Sequence, residues 1–285
     1  MAFLCVEGLS DISVVTKLEG IATFTGMLNS QGQFNYELGG KQYSGYRRAD
    51  SRISKYIWEA LGDAKTVLNI GAGTGSYEPT DRYILAVEPS EVMRRQRPPH
   101  LCPAIRATAD ALPFDDASID AAMAVLTLHH WPDRAKGLGE LRRVTRGPIV
   151  IMTFDSSAPT EFWMFDYCPE MKVVEQKRYG DLASIVSHLP GTHQVLPIPV
   201  PRDCTDKFQV ALYARPEEFL NPEVRGSQSA WKFLPPGAEE RFVQKLTTDL
   251  KSGAWESKYG HLRTRETINC QLRLIVASPT HELGR

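Results

Sequence analysis

Val67-Leu-Asn-Ile-Gly-Ala-Gly-Thr-Gly75 joins a short apolar run to three glycines spaced two apart. The run Val67–Ile70 has the length and character of a strand buried in a parallel sheet. Glycine has no Cβ, so the chain can turn sharply where the strand ends and a ligand can lie on bare backbone. In the dinucleotide fingerprint Gly-x-Gly-x-x-Gly, the third glycine allows a helix to pack closely beneath a pyrophosphate. Here Ser76 stands at that place and the extra glycine falls one residue early, at Gly75. The spacing argues against NAD and FAD.

Downstream, Tyr83-Ile-Leu-Ala-Val-Glu88 reads as a second apolar strand ending in a carboxylate. An acidic side chain at that tip accepts hydrogen bonds from ribose hydroxyls. Ala107-Thr-Ala-Asp-Ala-Leu-Pro-Phe-Asp-Asp-Ala-Ser-Ile-Asp120 comes next, and the apolar run 121–128 is closed by His129-His130-Trp131-Pro132-Asp133. With these segments in this order, the chain from about Phe34 to Asp155 resembles a class I S-adenosylmethionine (SAM)-dependent methyltransferase. The Leu112-Pro113-Phe114-x-Asp116-x-Ser118-x-Asp120 and Leu128-His129-His130-Trp131 segments are similar to the subgroup that includes the ubiquinone/menaquinone-biosynthesis C-methyltransferases.

With 285 residues, 42% of them apolar, the chain can bury a large core as one domain or as a domain with a cap. A formal net charge of −1 sets up no global field toward nucleic acid or an anionic membrane. The clusters Arg94-Arg95-Gln96-Arg97 and Arg142-Arg143 read as solvated helix faces. The five cysteines (5, 102, 168, 204 and 270) form no Cys-x-x-Cys pair. This suits a reduced, cytoplasmic protein with neither a disulfide framework nor a metal site. No apolar run approaches the roughly 18 residues of a membrane span. Glu7 and Asp11 interrupt any signal-peptide core. Residues 1–32 match nothing in the family pattern and are expected to be either a loosely ordered extension or an artefact of start-codon choice.

The SAM-binding core is expected over 33–155. Residues 50–61 carry Ile53, Ile57, Trp58 and Leu61 at helical spacing, just ahead of strand one (65–70). Only about seven residues separate Gly75 from strand two, too few for a crossover helix, which needs about ten or more with its connections. Strands are expected near 103–107, 120–127, 148–154 and 194–201, with a helix over 133–145. Alternating strands and helices predict a Rossmann-like, doubly wound α/β sheet. The resemblance implies seven strands, the last (271–277) antiparallel and slotted between strands five and six. Residues 156–285 then complete the sheet and add a helical cap over about 156–190 and 205–267, set over the carboxyl ends of the strands.

The resemblance also implies a site for SAM. Gly71, Ala72, Gly73 and Gly75 would carry its methionine and ribose portions, with Glu88 on the ribose. Pro89, Ser90 and Met93 would line the adenine. Thr108-Ala109 occupies a place where the family has an acidic residue, so Thr108 or Asp110 would take the adenine amino group. Asn69 stands where the family usually shows Asp. Tyr36, Tyr43 and Arg47 resemble a Tyr-x6-Tyr-x3-Arg segment that folds over the cofactor. Arg47 offers a donor fork to the methionine carboxylate. Backbone at Leu126 and Thr127 is expected beside the amine.

Methyl transfer from a sulfonium is an in-line displacement, so alignment does most of the work, on the order of 7–11 kcal/mol. A general base contributes roughly 10²–10⁴-fold when the nucleophile carries a proton. His130 and His129 are the candidates, with His130 preferred. His261, Asp203 and Asp206 are weaker ones, and Cys204 as a nucleophile has little support. Phe162, Trp163, Phe165, Tyr167, Trp231 and Phe233 fall in the cap. They form either an apolar substrate pocket or the cap's own core, and the second is preferred. The expected activity is methylation of a small molecule at O, N or C. The alternatives are a protein or tRNA methyltransferase, which the missing basic stripe disfavours, or a SAM-binding protein that no longer methylates.

Overall fold

Asp50 opens the first long helix by accepting a hydrogen bond from the Arg52 amide at 3.0 Å, and Ser51–Ala60 follows. Its stripe of Ile53 and Ile57, with Leu61 just beyond, is fully buried. Trp58 stays partly exposed and donates its indole N–H to the Tyr77 carbonyl at 2.9 Å. The computed structural model describes residues 35–40 and 43–280. The expected extension over 1–32 lies outside these residues.

The strands are β1 (Thr66–Ile70), β2 (Tyr83–Val87), β3 (Ala121–Val125), β4 (Ile149–Phe154), β5 (Thr192–Pro197), β6 (Val200–Pro201), β7 (Thr267–Ile268) and β8 (Leu272–Ser278). Six of them form one sheet in the order β2-β1-β3-β4-β8-β5, and β6 and β7 pair as a separate ribbon. The β1–β2, β1–β3 and β3–β4 pairs are parallel. β8 runs antiparallel to both β4 and β5, in the inserted position expected of the last strand. Central strands such as Ile149-Val150-Ile151-Met152 are apolar at every position because both faces are covered. The helix Ser51–Ala60 and the cap cover one face. The helix Arg134–Val144, with Trp131 and Leu182–Ser187, covers the other.

The strand expected at 103–107 is reduced to an isolated bridge between Ile105 and Val87, so the sheet has six strands among the described residues, not seven. Pro103 has no N–H to offer a ladder, and Ile105 at this edge is 41% exposed, so pairing ends after two hydrogen bonds to Ala86 and Glu88. Within the expected cap segment 156–190, the first helical stretch is two helices, Met164–Tyr167 and Pro169–Tyr179. Cys168, which precedes the proline, is held out of helical geometry at φ −139°.

No helix forms between Ile70 and Tyr83, in keeping with the shortness of that segment. A buried polar knot replaces it. Arg97 donates to both oxygens of Glu78 at 3.0 and 2.9 Å, and Asn69 on β1 donates to Glu78 Oε1 at 2.8 Å. The Arg97 and Glu78 side chains are only 4% and 1% exposed. Tyr77 takes up the remaining turn at φ +67°, a conformation that costs a non-glycine residue about 1–3 kcal/mol.

The cap aromatics are its own core. Trp163 meets Trp255 edge-on at 5.7 Å, and Trp231 meets Phe242 at 4.9 Å between ring centroids. This cluster runs without a break into the sheet face made by Val67, Met123 and Met152. We predict that Arg97→Met destabilises the protein by about 3–5 kcal/mol, because it leaves Glu78 buried and unpaired. Urea denaturation measures this; a loss below about 1 kcal/mol, the value of a surface pair, would show that the knot is not structural.

Candidate active site

A cavity of about 710 Å³ opens at the carboxyl ends of β1, β2 and β3, the place where open α/β sheets bind ligands. The glycine loop forms its floor. Ala72 N–H donates to Val87 O at 2.9 Å, which ties the loop to the neighbouring strand. Gly71 (φ +63°) and Gly73 (φ +52°) line the cavity. A Cβ on Gly71 would lie 1.9 Å from Thr127 Oγ1, so a glycine is required there by both conformation and space. Gly75 does not line the cavity. Its N–H closes a turn onto Ala72 O at 2.8 Å, and a Cβ there would strike Leu101 at 2.3 Å. Its lack of a side chain serves packing beneath the loop.

Glu88 caps β2 and faces the cavity, accepting from Gly73 N–H and Ser90 N–H at 2.8 Å each. Burial raises its pKa, although both amides favour the carboxylate. Ser90 then caps the helix Glu91–Arg95, whose Met93 lies 3.4 Å from the Gly73 Cβ position and walls the cavity. Pro89, Thr108 and Ala109 complete that side. Asp110 turns away from the cavity. Its carboxyl is held low chiefly by the Thr108 hydroxyl and faces Lys136 at 3.9 Å. Of the pair left open by the sequence, Thr108 lines the cavity and Asp110 does not.

Beside the glycine loop, Leu126 follows β3 at φ +50° and Thr127 comes next. The turn Leu128–His130 is pinned by Trp131, whose ring rests against Gly137 of the helix Arg134–Val144; a Cβ on Gly137 would sit 2.6 Å from that ring. His130 lines the cavity, with Nε2 2.8 Å from the Tyr36 hydroxyl. His129 does not line it. It lies against Tyr179 with ring centroids 4.5 Å apart, and its Nδ1 meets no hydrogen-bond partner among the described residues. Burial pushes both imidazoles well below the ordinary histidine range. His130 adds to the effect at His129, and Arg178 adds to it at both.

Tyr36, Tyr43 and Arg47 all reach the cavity. The Arg47 guanidinium stacks over the Tyr43 ring at 5.1 Å. Arg47 also forms a buried ion pair with Asp206, whose Oδ2 accepts from the Tyr77 hydroxyl at 2.8 Å. Asp206 and Tyr77 line the cavity, and neither was expected there in a binding role. The remaining candidates lie elsewhere. Asp203 pairs with Arg52 at 2.7 Å on the surface, and His261 is exposed. Cys204 is fully buried, with its thiol pushed up to about 12 by burial, which leaves it inert. None of the six cap aromatics lines the cavity.

Residues 68–148 match a family model described as a methyltransferase domain. The crystal structure of an inferred methyltransferase from an antibiotic biosynthesis pathway of Anabaena variabilis superposes with a TM-score of 0.76 at 30% identity, covering 81% of this chain and 98% of that one. This chain belongs to the class I SAM-dependent methyltransferases. An uncharacterized methyltransferase of Mycobacterium bovis is 35% identical over 99 residues, which is 31% of this chain and 39% of the relative. An uncharacterized chloroplastic methyltransferase of Arabidopsis thaliana is 29% identical over 154 residues, 46% of this chain and 44% of that protein. The match thus spans less than half the length of these curated relatives.

SAM is the cofactor of the family, and the cavity suits it. Its volume falls in the range of small-molecule sites. A Cβ on Gly73 would meet only Met93, at 3.4 Å, and Glu88 and Arg47 both line the cavity. We predict that Gly71→Ala lowers stability by about 1–3 kcal/mol through its positive φ and the Thr127 clash, and weakens SAM binding in calorimetry. Adding Thr127→Ala should recover only part of the loss, because the backbone strain remains.

Proposed function

We propose that this methyltransferase moves the methyl group of SAM onto a small-molecule acceptor at O, N or C. The observation that carries this reading is a single cavity lined by Glu88, the glycine loop and the hydrogen-bonded His130–Tyr36 pair. Bound SAM supplies a methyl group on a positively charged sulfur that leaves without needing a proton. Glu88 accepts from the ribose hydroxyls with the acceptor positions that the Gly73 and Ser90 amides leave open, and Gly71, Ala72 and Gly73 present backbone to the methionine and ribose. Thr108, Ala109, Pro89, Ser90 and Met93 surround the adenine, and Arg47 with Tyr43 takes the methionine carboxylate. The backbone of Leu126 and Thr127 lies beside the amine.

His130 Nε2 takes the proton of a protic acceptor through the Tyr36 hydroxyl, whose oxygen receives that proton as it passes its own to Nε2. Two findings favour a small acceptor. The net charge of −1 offers no attraction for RNA, and the similar Anabaena protein is assigned to antibiotic biosynthesis. The Leu112–Asp120 and Leu128–Trp131 segments support the ubiquinone/menaquinone C-methyltransferase subgroup within the family. The described cysteines are all free, which suits a reduced compartment such as the cytoplasm. No described helix is long and apolar enough to cross a membrane.

A tritiated-methyl transfer screen against cell extract, fractionated by size, tests the reading. Label is expected in the small-metabolite fraction, and label confined to protein or RNA would overturn it. For a protic acceptor, His130→Gln should lower turnover by roughly 10²–10⁴-fold. Because burial lowers the His130 pKa, its neutral, proton-accepting form persists as pH falls past the ordinary histidine value of about 6.5. Wild-type turnover should therefore stay level from pH 8 to 6 and decline only in more acid solution. A decline centred near 6.5, or full turnover in His130→Gln, would remove it as the base.

A further inference from the structure

The insertion between β6 and β7 covers the sheet, yet it sends one charged side chain, Asp206, into the cofactor cavity. Its side chain is 2% exposed. Oδ2 accepts from Tyr77 at 2.8 Å and, more distantly, from Arg47 at 3.4 Å, while Oδ1 accepts from Arg47 Nε. A carboxylate offers about four acceptor positions and a guanidinium five donors. Each partner of this pair therefore keeps capacity for one more charged group.

The other carboxylates on the cavity wall are committed or remote. Glu37 and Glu91 sit at its exposed rim, and Glu88 holds the amides of Gly73 and Ser90 at the tip of β2. On β1, Asn69 brings no charge, and its amide is tied to Glu78, itself consumed by Arg97. An ammonium group near Arg47 has one carboxylate to meet. We propose that Asp206 binds the α-ammonium of the cofactor's methionine end, so that Arg47 and Asp206 grip the amino-acid zwitterion as a matched pair of opposite charges. The geometry of the pair mirrors the ligand: a cation beside an anion, held on a tyrosine at each side, Tyr43 and Tyr77. This proposal rests on the reading that the methionine end lies toward Arg47.

Calorimetry with three probes tests it: S-adenosylhomocysteine, its decarboxylated analogue, which keeps the amine, and 5′-methylthioadenosine, which has neither charge. The wild type should bind the decarboxylated analogue about tenfold or more tighter than 5′-methylthioadenosine, as a charged hydrogen bond provides. Asp206→Asn should erase that preference while leaving 5′-methylthioadenosine affinity unchanged, which also shows the variant folded. An equal loss on all three probes, or a preference that survives, overturns the proposal. Should Asp206→Asn not fold, the wild-type preference decides, and its absence overturns the proposal. If the wild type binds S-adenosylhomocysteine and 5′-methylthioadenosine alike, the zwitterion grip falls and the cofactor reading stands. If it binds none of the three, the cofactor reading falls and takes this proposal with it.

Discussion

The buried ion pair between Glu78 and Arg97 is the contact on which the active-site wall depends. With no crossover helix between β1 and β2, the chain after the glycine loop has no regular structure of its own to carry its polar groups. The pair and Asn69 supply fixed partners, so the segment can be short and still dry. Everything around it follows from that anchoring. Tyr77 is presented to Asp206, Trp58 reaches back to the Tyr77 carbonyl, and Leu101 fills the space that Gly75 leaves. Two buried charges of this kind are an inefficient route to stability, since desolvation offsets most of their attraction. Their value here is positional.

The second organising feature is that one cavity is walled from three distant parts of the chain. The glycine loop and Glu88 come from the sheet, Tyr36, Tyr43 and Arg47 from the segment ahead of it, and Asp206 from the insertion. Arg47 and Asp206 also form an antiparallel backbone bridge, and the Lys207 amide donates to the Tyr46 carbonyl at 3.1 Å. The leading segment and the insertion are therefore stitched to each other as well as to the sheet. The wall of the cavity and the placement of the cap are mechanically one matter.

Features written within a few residues were legible in the sequence. The run 67–75, the helical spacing over 50–61, the carboxylate at Glu88 and the missing crossover helix all follow from local spacing and chain length. The strand expected at 103–107 does not extend beyond one bridge, because Pro103 lacks the donor that a ladder needs whatever the apolar content around it. Gly75 and Asp110 belong to legible motifs, but their roles depend on what packs behind them: Leu101 in one case, Thr108 and Lys136 in the other. The two histidines are adjacent in sequence and diverge because Tyr36 meets one and Tyr179 the other. In the sequence Asp206 reads only as a weaker candidate base. Its pairing with Arg47 bridges a separation of 159 residues, which no local pattern reports.

The place of β8 has a consequence for how the protein is made. β5 joins the sheet only through β8, which separates it from β4. During vectorial synthesis, β4 and β5 therefore wait with open hydrogen-bonding edges until residue 278 has left the ribosome. Unfilled edges of this kind invite pairing with other chains, and late, long-range strand insertion slows folding. The nascent chain passes through its most aggregation-prone interval while the insertion is being translated. Chaperone demand should rise with the length of that insertion more than with anything in the active site.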